Sequence, residues 1–183
     1  MRKMDMRSEY LIIRIGLATL ISISFFTLPA FAESQSHTVQ VSATILPRLE
    51  FSVAPETGSS IAFGTILQPA SGEVATKTVA VNLSVFSNLD QPYHVTQTVR
   101  RPLSNSNGSD IPEGQFLVST RNAERGITSP NSRPIVAGEN TTLYTSDSHG
   151  KSDAFVADYS LAVTPATPAG DFATEIVYTV TSL

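Results

Sequence analysis

The stretch HTVQVSATI at residues 37–45 decides the fold class of this chain, because apolar and polar residues alternate along its whole length. Its apolar positions are Val39, Val41, Ala43 and Ile45. Successive side chains of a β-strand point to opposite faces, so the pattern predicts a strand with one buried and one solvated face. Pro47 cannot donate a ladder hydrogen bond, and it predicts the end of that strand.

The same alternation recurs along the rest of the chain, and turn-forming residues separate one run from the next. The alternating runs cover residues 49–53, 76–86, 93–99, 116–120, 141–145, 155–163 and 172–180. No window shows a sustained helical period. Short strands with this spacing of turns are typical of a sandwich. We therefore predict an all-β fold, an immunoglobulin-like β-sandwich of roughly seven to nine strands.

The apolar faces of these runs predict a core between two sheets. The predicted core residues are Phe51, Val81, Leu83, Val85, Tyr159, Leu161, Ile176 and Tyr178. Two segments, residues 101–114 and 121–138, are rich in proline, glycine and polar residues and predict long loops, the second anchored by Ile135 and Val136. Loops of this length in a compact domain usually serve a function or are locally disordered.

The first 32 residues differ in kind from the rest. Four basic residues are followed by an apolar run, and Ala30-Phe31-Ala32 then places small residues where a signal peptidase reads them. This order is typical of a cleavable secretory signal. The apolar run before Pro29 is shorter than the roughly 20 residues that a spanning helix needs. We expect a signal peptide at residues 1–32, a single domain at residues 33–183, and a location in the periplasm, at the cell surface or outside a bacterial cell.

Composition excludes several classes of function. Without the signal peptide the chain keeps eight basic and fourteen acidic residues, a net charge of −6, so no nucleic-acid partner is expected. The absence of cysteine excludes disulfides, thiolate metal sites and thiol catalysis. We expect no cofactor, and no membrane span after cleavage of the signal.

No catalytic motif stands out. The three histidines, His37, His94 and His149, lie in separate segments, and the adjacent Asp147, Ser148 and His149 are expected to form a solvated turn, because a working triad draws its members from different elements. Residues 105–110 (NSNGSD) carry oxygen ligands that could surround Ca²⁺, but they lack a spaced bidentate acid and are expected to form an exposed turn. We therefore assign no catalytic, cofactor-binding or metal-binding residue.

Both ends of the domain resemble a known family. The segment TVQVSATILP at residues 38–47 is similar to the N-terminal segment of chaperone–usher pilus (fimbrial) subunits of the alternate, or class 5, type. The C-terminal PAGDF at residues 168–172, with the alternation to Val180, resembles their closing strand. The resemblance covers about twenty-five residues, and the middle of the chain does not share it.

That resemblance implies a mechanism of assembly. In that family the N-terminal strand inserts into a groove of the next subunit, whose immunoglobulin-like fold lacks its last strand. Main-chain hydrogen bonds give such strand addition its affinity, and alternate side chains fill pockets. The resemblance assigns the inserted side chains to Val39, Val41, Ala43 and Ile45. It also implies like subunits or other appendage subunits as partners, and a periplasmic chaperone.

Three hypotheses follow for the function. The first is a structural subunit of a surface appendage, with a role in cell adhesion, that assembles by strand addition. The second is a self-contained secreted or periplasmic sandwich that binds a glycan or a protein without catalysis. The third is an enzyme, which is disfavoured because the sequence supplies no nucleophile, base and orienting group together. The first two differ in whether residues 39–45 pair between chains or within their own chain.

Overall fold

The fold consists mainly of antiparallel strands in this computed structural model, which describes residues 39–183. The strands are β1 (Leu49–Pro55), β2 (Ala75–Ser87), β3 (Tyr93–Val99), β4 (Ser104–Asn105), β5 (Phe116–Arg121), β6 (Ile127–Thr128), β7 (Arg133–Pro134), β8 (Asn140–Thr145), β9 (Asp153–Val163), β10 (Phe172–Ala173) and β11 (Ile176–Ser182). One 3-10 turn covers Glu113–Gln115. Seven strands have six or more residues and the other four have two, so the predicted all-β sandwich of seven to nine strands is confirmed.

Two sheets form the sandwich. The first has the order β1-β2-β9-β5-β7 and the second the order β11-β3-β8-β6, while β10 and β4 form a separate pair. The spine of the first sheet is the β2–β9 ladder, which runs from the Ala75–Val163 pair to the Val85–Asp153 pair. β2 and β9 each have a neighbour on both sides, and their inward residues are buried from Val81 to Ser87 and from Asp153 to Leu161.

The core lies between these sheets, as the alternation predicts. Five of the eight predicted core residues are buried: Val81, Leu83, Val85, Tyr159 and Leu161. The other three, Phe51, Ile176 and Tyr178, are only partly buried. All three lie on β1 or β11, the strands that end the two sheets on the same side of the sandwich. They pack against the core but stay partly exposed, because no further strand covers that side within residues 39–183.

The alternating run at residues 172–180 is not one strand, in contrast to the prediction. It breaks after Ala173, so that β10 pairs with β4 while β11 pairs with β3. The break coincides with Thr174, whose hydroxyl donates to the carbonyl of Arg101 (2.7 Å). The chain thus changes its pairing partner inside a run whose side chains keep a regular alternation, which is why the pattern does not reveal the break.

The two predicted long loops contain more structure than expected. Residues 101–114 include β4 and bury Leu103 and Ile111 against the core. Residues 121–138 include β6 and β7, and Ile135 is buried as predicted. Both segments therefore close part of the sandwich.

Residues 1–38 lie outside the described part of the chain, and with them the predicted signal peptide, its cleavage site and His37. Within the described part, residues 44–183 form one compact unit. No helix among residues 39–183 has the length and apolar character needed to cross a membrane.

Candidate functional site

Two long strands lack a second neighbour on one side of the sandwich. In residues 39–183, β1 pairs only with β2, and β11 pairs only with β3. Each strand therefore presents one row of main-chain N–H and C=O groups that no sheet partner satisfies. The ring centroids of Phe51 on β1 and Tyr178 on β11 are 6.3 Å apart, so the two open edges face each other across the sandwich.

The opposite edges of the two sheets are formed by short strands. There the sheets end in β7 and β6, which have two residues each. Pro134 in β7 has no N–H to offer, and the neighbouring Arg133 is charged and exposed. Short strands, proline and charge are the usual means by which proteins keep an edge from pairing with another chain. The side with β1 and β11 has seven-residue strands, in which charge and proline are confined to Glu50 and the terminal Pro55 of β1.

A groove of about 990 Å³, lined by both apolar and polar residues, lies at the open side. One wall carries Val53 and Pro55 of β1, and the other carries Ile176 and Tyr178 of β11. The floor is built from core strands and from the segment between β1 and β2, and its apolar lining includes Ile61, Phe63, Ile66, Phe116, Leu161 and Val163. Most of a ligand site's lining is ordinarily apolar, and here the lining continues directly into the core.

The floor segment is tied to the sandwich by polar contacts. Lys77 Nζ on β2 donates to the carbonyls of Phe63 (2.8 Å) and Thr65 (3.1 Å). The ring of Phe63 meets that of Phe116 edge to face, with centroids 6.1 Å apart. These contacts hold an irregular segment against the core without adding a strand to β1, so that the outer edge of β1 stays free.

A buried polar chain lies beneath Tyr178. The hydroxyls of Tyr178 and Tyr159 share a hydrogen bond (2.8 Å), and Tyr159 also donates to Gln97 Oε1. Burial raises the pKa of Tyr178 to about 12, although its hydrogen bond with Tyr159 acts in the opposite direction. Burial raises the pKa of Tyr159 as well. Both phenols are therefore neutral hydrogen-bonding groups at physiological pH.

The four residues predicted to be inserted lie outside every sheet. Residues 39–48 form no strand, although the alternation at residues 37–45 predicts one. The side chains are exposed: Val39 is 81% exposed, Val41 91% and Ile45 84%, and Ala43 is exposed too. Apolar residues scattered singly on a surface need no explanation, whereas a group of exposed apolar side chains often marks a contact surface.

A buried carboxylate at the start of β9 binds the segment that follows β5. Asp153 is 8% exposed and accepts hydrogen bonds from the Tyr144 hydroxyl (2.7 Å) and from the backbone N–H groups of Glu124, Arg125 and Gly126. Burial alone would raise the pKa of Asp153, but these donors outweigh it and hold the pKa below its ordinary value. Asp153 therefore fastens the start of the 121–138 segment to the sandwich.

The residues weighed for chemistry lie in the 147–151 turn, on β3 and in the 105–110 segment, and His37 lies outside the described residues. Asp147 Oδ1 accepts from the backbone N–H groups of His149 and Lys151, which makes residues 147–151 a turn, as predicted. His94 lies on β3 opposite Thr145, two residues before that turn, and the imidazole of His149 lies 3.4 Å from the carboxylate of Asp90. In the 105–110 segment, Asn105 Oδ1 accepts from the N–H groups of Asn107 and Ser109. No cluster of three metal-ligating side chains occurs among residues 39–183.

Sequence reasoning missed two buried polar residues that a stricter use of the alternation identifies. Gln97 has the same parity as Val95 and Val99 on β3, and it is 1% exposed. Asp153 has the same parity as Phe155 and Ala157 on β9. In both cases the position in a two-residue repeat predicts an inward side chain, whereas the polar residue type suggests the surface.

Comparison with known proteins adds no assignment: no family model matches the sequence, and no curated protein is similar enough to it to count as a relative.

Proposed function

We propose that this chain is an exported structural subunit of a surface appendage of the pilus or fimbria type, and that copies of it assemble by strand addition. The observation that carries the proposal is the groove between the open edges of β1 and β11, with apolar side chains of both strands on its walls. The proposed occupant is the segment of residues 39–45 of a second copy, or of a like subunit.

The two surfaces fit each other chemically. The groove offers apolar side chains on both walls and two open strand edges, and the segment offers alternate apolar side chains and a main chain that belongs to no strand within residues 39–183. Inserted between β1 and β11, the segment would hydrogen-bond at the open edge of β11 and place Val39, Val41, Ala43 and Ile45 toward the core. Complete burial of a valine or isoleucine side chain contributes about 1.5–3 kcal/mol.

The absence of cysteine allows a direct test of this contact. One population of chains, labelled with heavy nitrogen, carries a single cysteine at Val39, Val41, Ala43 or Ile45. The other, unlabelled, carries Ile176→Cys on the groove wall. We expect one of the four positions to form a disulfide with Cys at position 176 of the other population, because disulfides require Cα atoms within about 7 Å of each other.

The matched control is Thr179→Cys on the same strand, where the side chain is exposed on the other face. It should cross-link far less than position 176 with every one of the four donors. Mass spectrometry of heavy–light pairs distinguishes contacts between chains from contacts within one chain. If a chain that carries both cysteines cross-links only to itself, the self-contained binding domain becomes the better account.

A further inference from the structure

Asn88, directly after β2, binds the chain on both sides of Pro47. Its Oδ1 accepts a hydrogen bond from the Arg48 N–H (2.6 Å), and its Nδ2 donates to the Leu46 carbonyl (3.0 Å). Its own backbone N–H donates to the Arg48 carbonyl (3.2 Å). We call these three hydrogen bonds the Asn88 clamp.

The Asn88 clamp holds the chain in an extended direction. The β1–β2 ladder ends at the Leu49–Ser87 pair, and the contact of Arg48 with Asn88 continues it by one position. Leu46 and Arg48 both turn main-chain groups toward the same partner, as alternate residues of an extended strand do. Pro47 lies between these two residues. Asn88 bonds to Leu46 and Arg48, so the missing N–H of Pro47 removes no hydrogen bond to Asn88. A reversal of the chain at residues 46–48 would have to break the clamp.

Length alone does not prevent a chain from filling its own groove. Seven residues in extended form, such as 39–45, span about 23 Å, while the distance along β1 from Leu49 to Val53 is about 13 Å. A chain that reversed at Pro47 could therefore lay its own Val41 beside Val53 and its own Val39 beside Pro55. Such a closed monomer would compete with assembly, because the same side chains would already be buried.

We propose that Asn88 is a positioning residue that keeps residues 39–45 out of the groove of their own chain and reserves them for a second copy. This inference rests on the proposed function. Asn88 is exposed in the turn that follows β2. Through the clamp, it sets the balance between closed monomers and assembled chains.

The test compares four forms of the chain of residues 33–183, refolded at equal concentration: the wild type, Asn88→Ala, Asn88→Asp and Asn82→Ala. Asn88→Ala removes both side-chain bonds, and Asn88→Asp keeps only the acceptor for Arg48. Asn82 is the matched control, because it is an exposed asparagine on β2 outside the clamp. Light scattering after size exclusion gives the ratio of monomer to oligomer, and hydrogen exchange of the monomer fraction gives the protection of amides 39–45.

We expect Asn88→Ala to raise the monomer-to-oligomer ratio roughly tenfold, the effect of losing about one net hydrogen bond. Amides 39–45 of that monomer should be protected roughly tenfold more than in the wild type. Asn88→Asp should fall between the two, and Asn82→Ala should match the wild type. The amide protection of residues 39–45 distinguishes a segment that has moved into its own groove from a sandwich that is merely less stable. If Asn88→Ala does not fold, the same comparison is made with Asn88→Asp.

Two outcomes overturn the inference while leaving the proposed function intact. One is an Asn88→Ala chain that assembles like the wild type. The other is a loss of assembly in which residues 39–45 of the monomer stay unprotected. A wild-type chain that never assembles, with residues 39–45 unprotected, contradicts the proposed function itself and the inference with it.

Discussion

Replacing Val41 with aspartate is expected to leave the sandwich folded and to abolish assembly. Val41 is 91% exposed, so a carboxylate there meets only water in the isolated chain. In the groove the same carboxylate would lie among apolar side chains without a partner, and an unpaired buried charge is strongly unfavourable. The lost burial of valine removes about another 1.5–3 kcal/mol. Size-exclusion chromatography with light scattering should therefore find Val41→Asp as a monomer with an unchanged melting temperature.

Gln40→Asp is the matched control for this substitution. Gln40 precedes Val41 in the same exposed segment but has the opposite parity, so its side chain would face away from the groove after insertion. It introduces the same charge and should leave assembly largely intact. A Val41→Asp chain that assembles as well as Gln40→Asp contradicts strand addition, and one that melts at a lower temperature as an isolated monomer indicates that the segment belongs to its own sandwich.

A mixture of two variants with opposite defects tests the same prediction. Ile176→Asp should block the groove while leaving residues 39–45 intact, because Ile176 lines the wall on β11. A Val41→Asp chain has the reverse defect. Each variant alone should remain monomeric, and a mixture should form 1:1 heterodimers in which the Ile176→Asp chain supplies the strand and the Val41→Asp chain supplies the groove.

The second large effect is expected at Asp153. Asp153→Asn removes the charge and one of the two oxygens that accept hydrogen bonds from Tyr144 and from three consecutive backbone N–H groups. Buried donors that lose a charged acceptor cost about 1–3 kcal/mol each, partly recovered by the remaining amide oxygen. We expect the free energy of unfolding at neutral pH to fall by about 2–4 kcal/mol, measured by urea denaturation.

Asp158→Asn supplies the control on the same strand. Asp158 pairs with Arg121 on the outer face of the sheet (2.6 Å), where solvent screening leaves an ion pair little effect on the free energy of unfolding. Equal losses for Asp153→Asn and Asp158→Asn would show that the buried hydrogen bonds of Asp153 do not contribute as described.

The pH dependence of Asp153 has a definite sign. Its folded-state pKa lies below that of the unfolded chain, which is about 3.9. Its contribution to stability is therefore complete above the unfolded-state pKa and is lost as the pH falls through the folded-state pKa. The stability difference between the wild type and Asp153→Asn should be largest near neutral pH and should shrink below about pH 4.

The sequence predicts the sheets of this protein well, because alternation is a local signal. The runs that contain Leu83 and Leu161 predict both the strand and the buried face, and the structure confirms them. Parity also places Gln97 and Asp153 inside, although their residue types point to the surface. The pattern does not reveal that the run at residues 172–180 changes partner at Thr174, because a change of partner leaves the alternation intact.

The groove itself could not be predicted from the sequence. Alternation shows that the strands of Phe51, Ile176 and Tyr178 each have an apolar face. It does not show whether that face is covered by the same chain or by another chain. Nor does it show the Asn88 clamp, which depends on a side chain about forty residues away from the segment that it holds. Only the strand order, in which β1 and β11 both end their sheets on one side, identifies the uncovered edge.

Hydrogen exchange of assembled chains tests the central claim most directly, since the claim is that β11 gains a strand partner from another chain. In the dispersed monomer, the β11 amides that do not bond to β3 and the amides of residues 39–45 should exchange quickly. In the assembled protein both sets should become protected together, by at least about tenfold, while β6 and β7 exchange as before. An assembly in which both sets still exchange quickly, or a monomer in which both are already protected, would contradict the account.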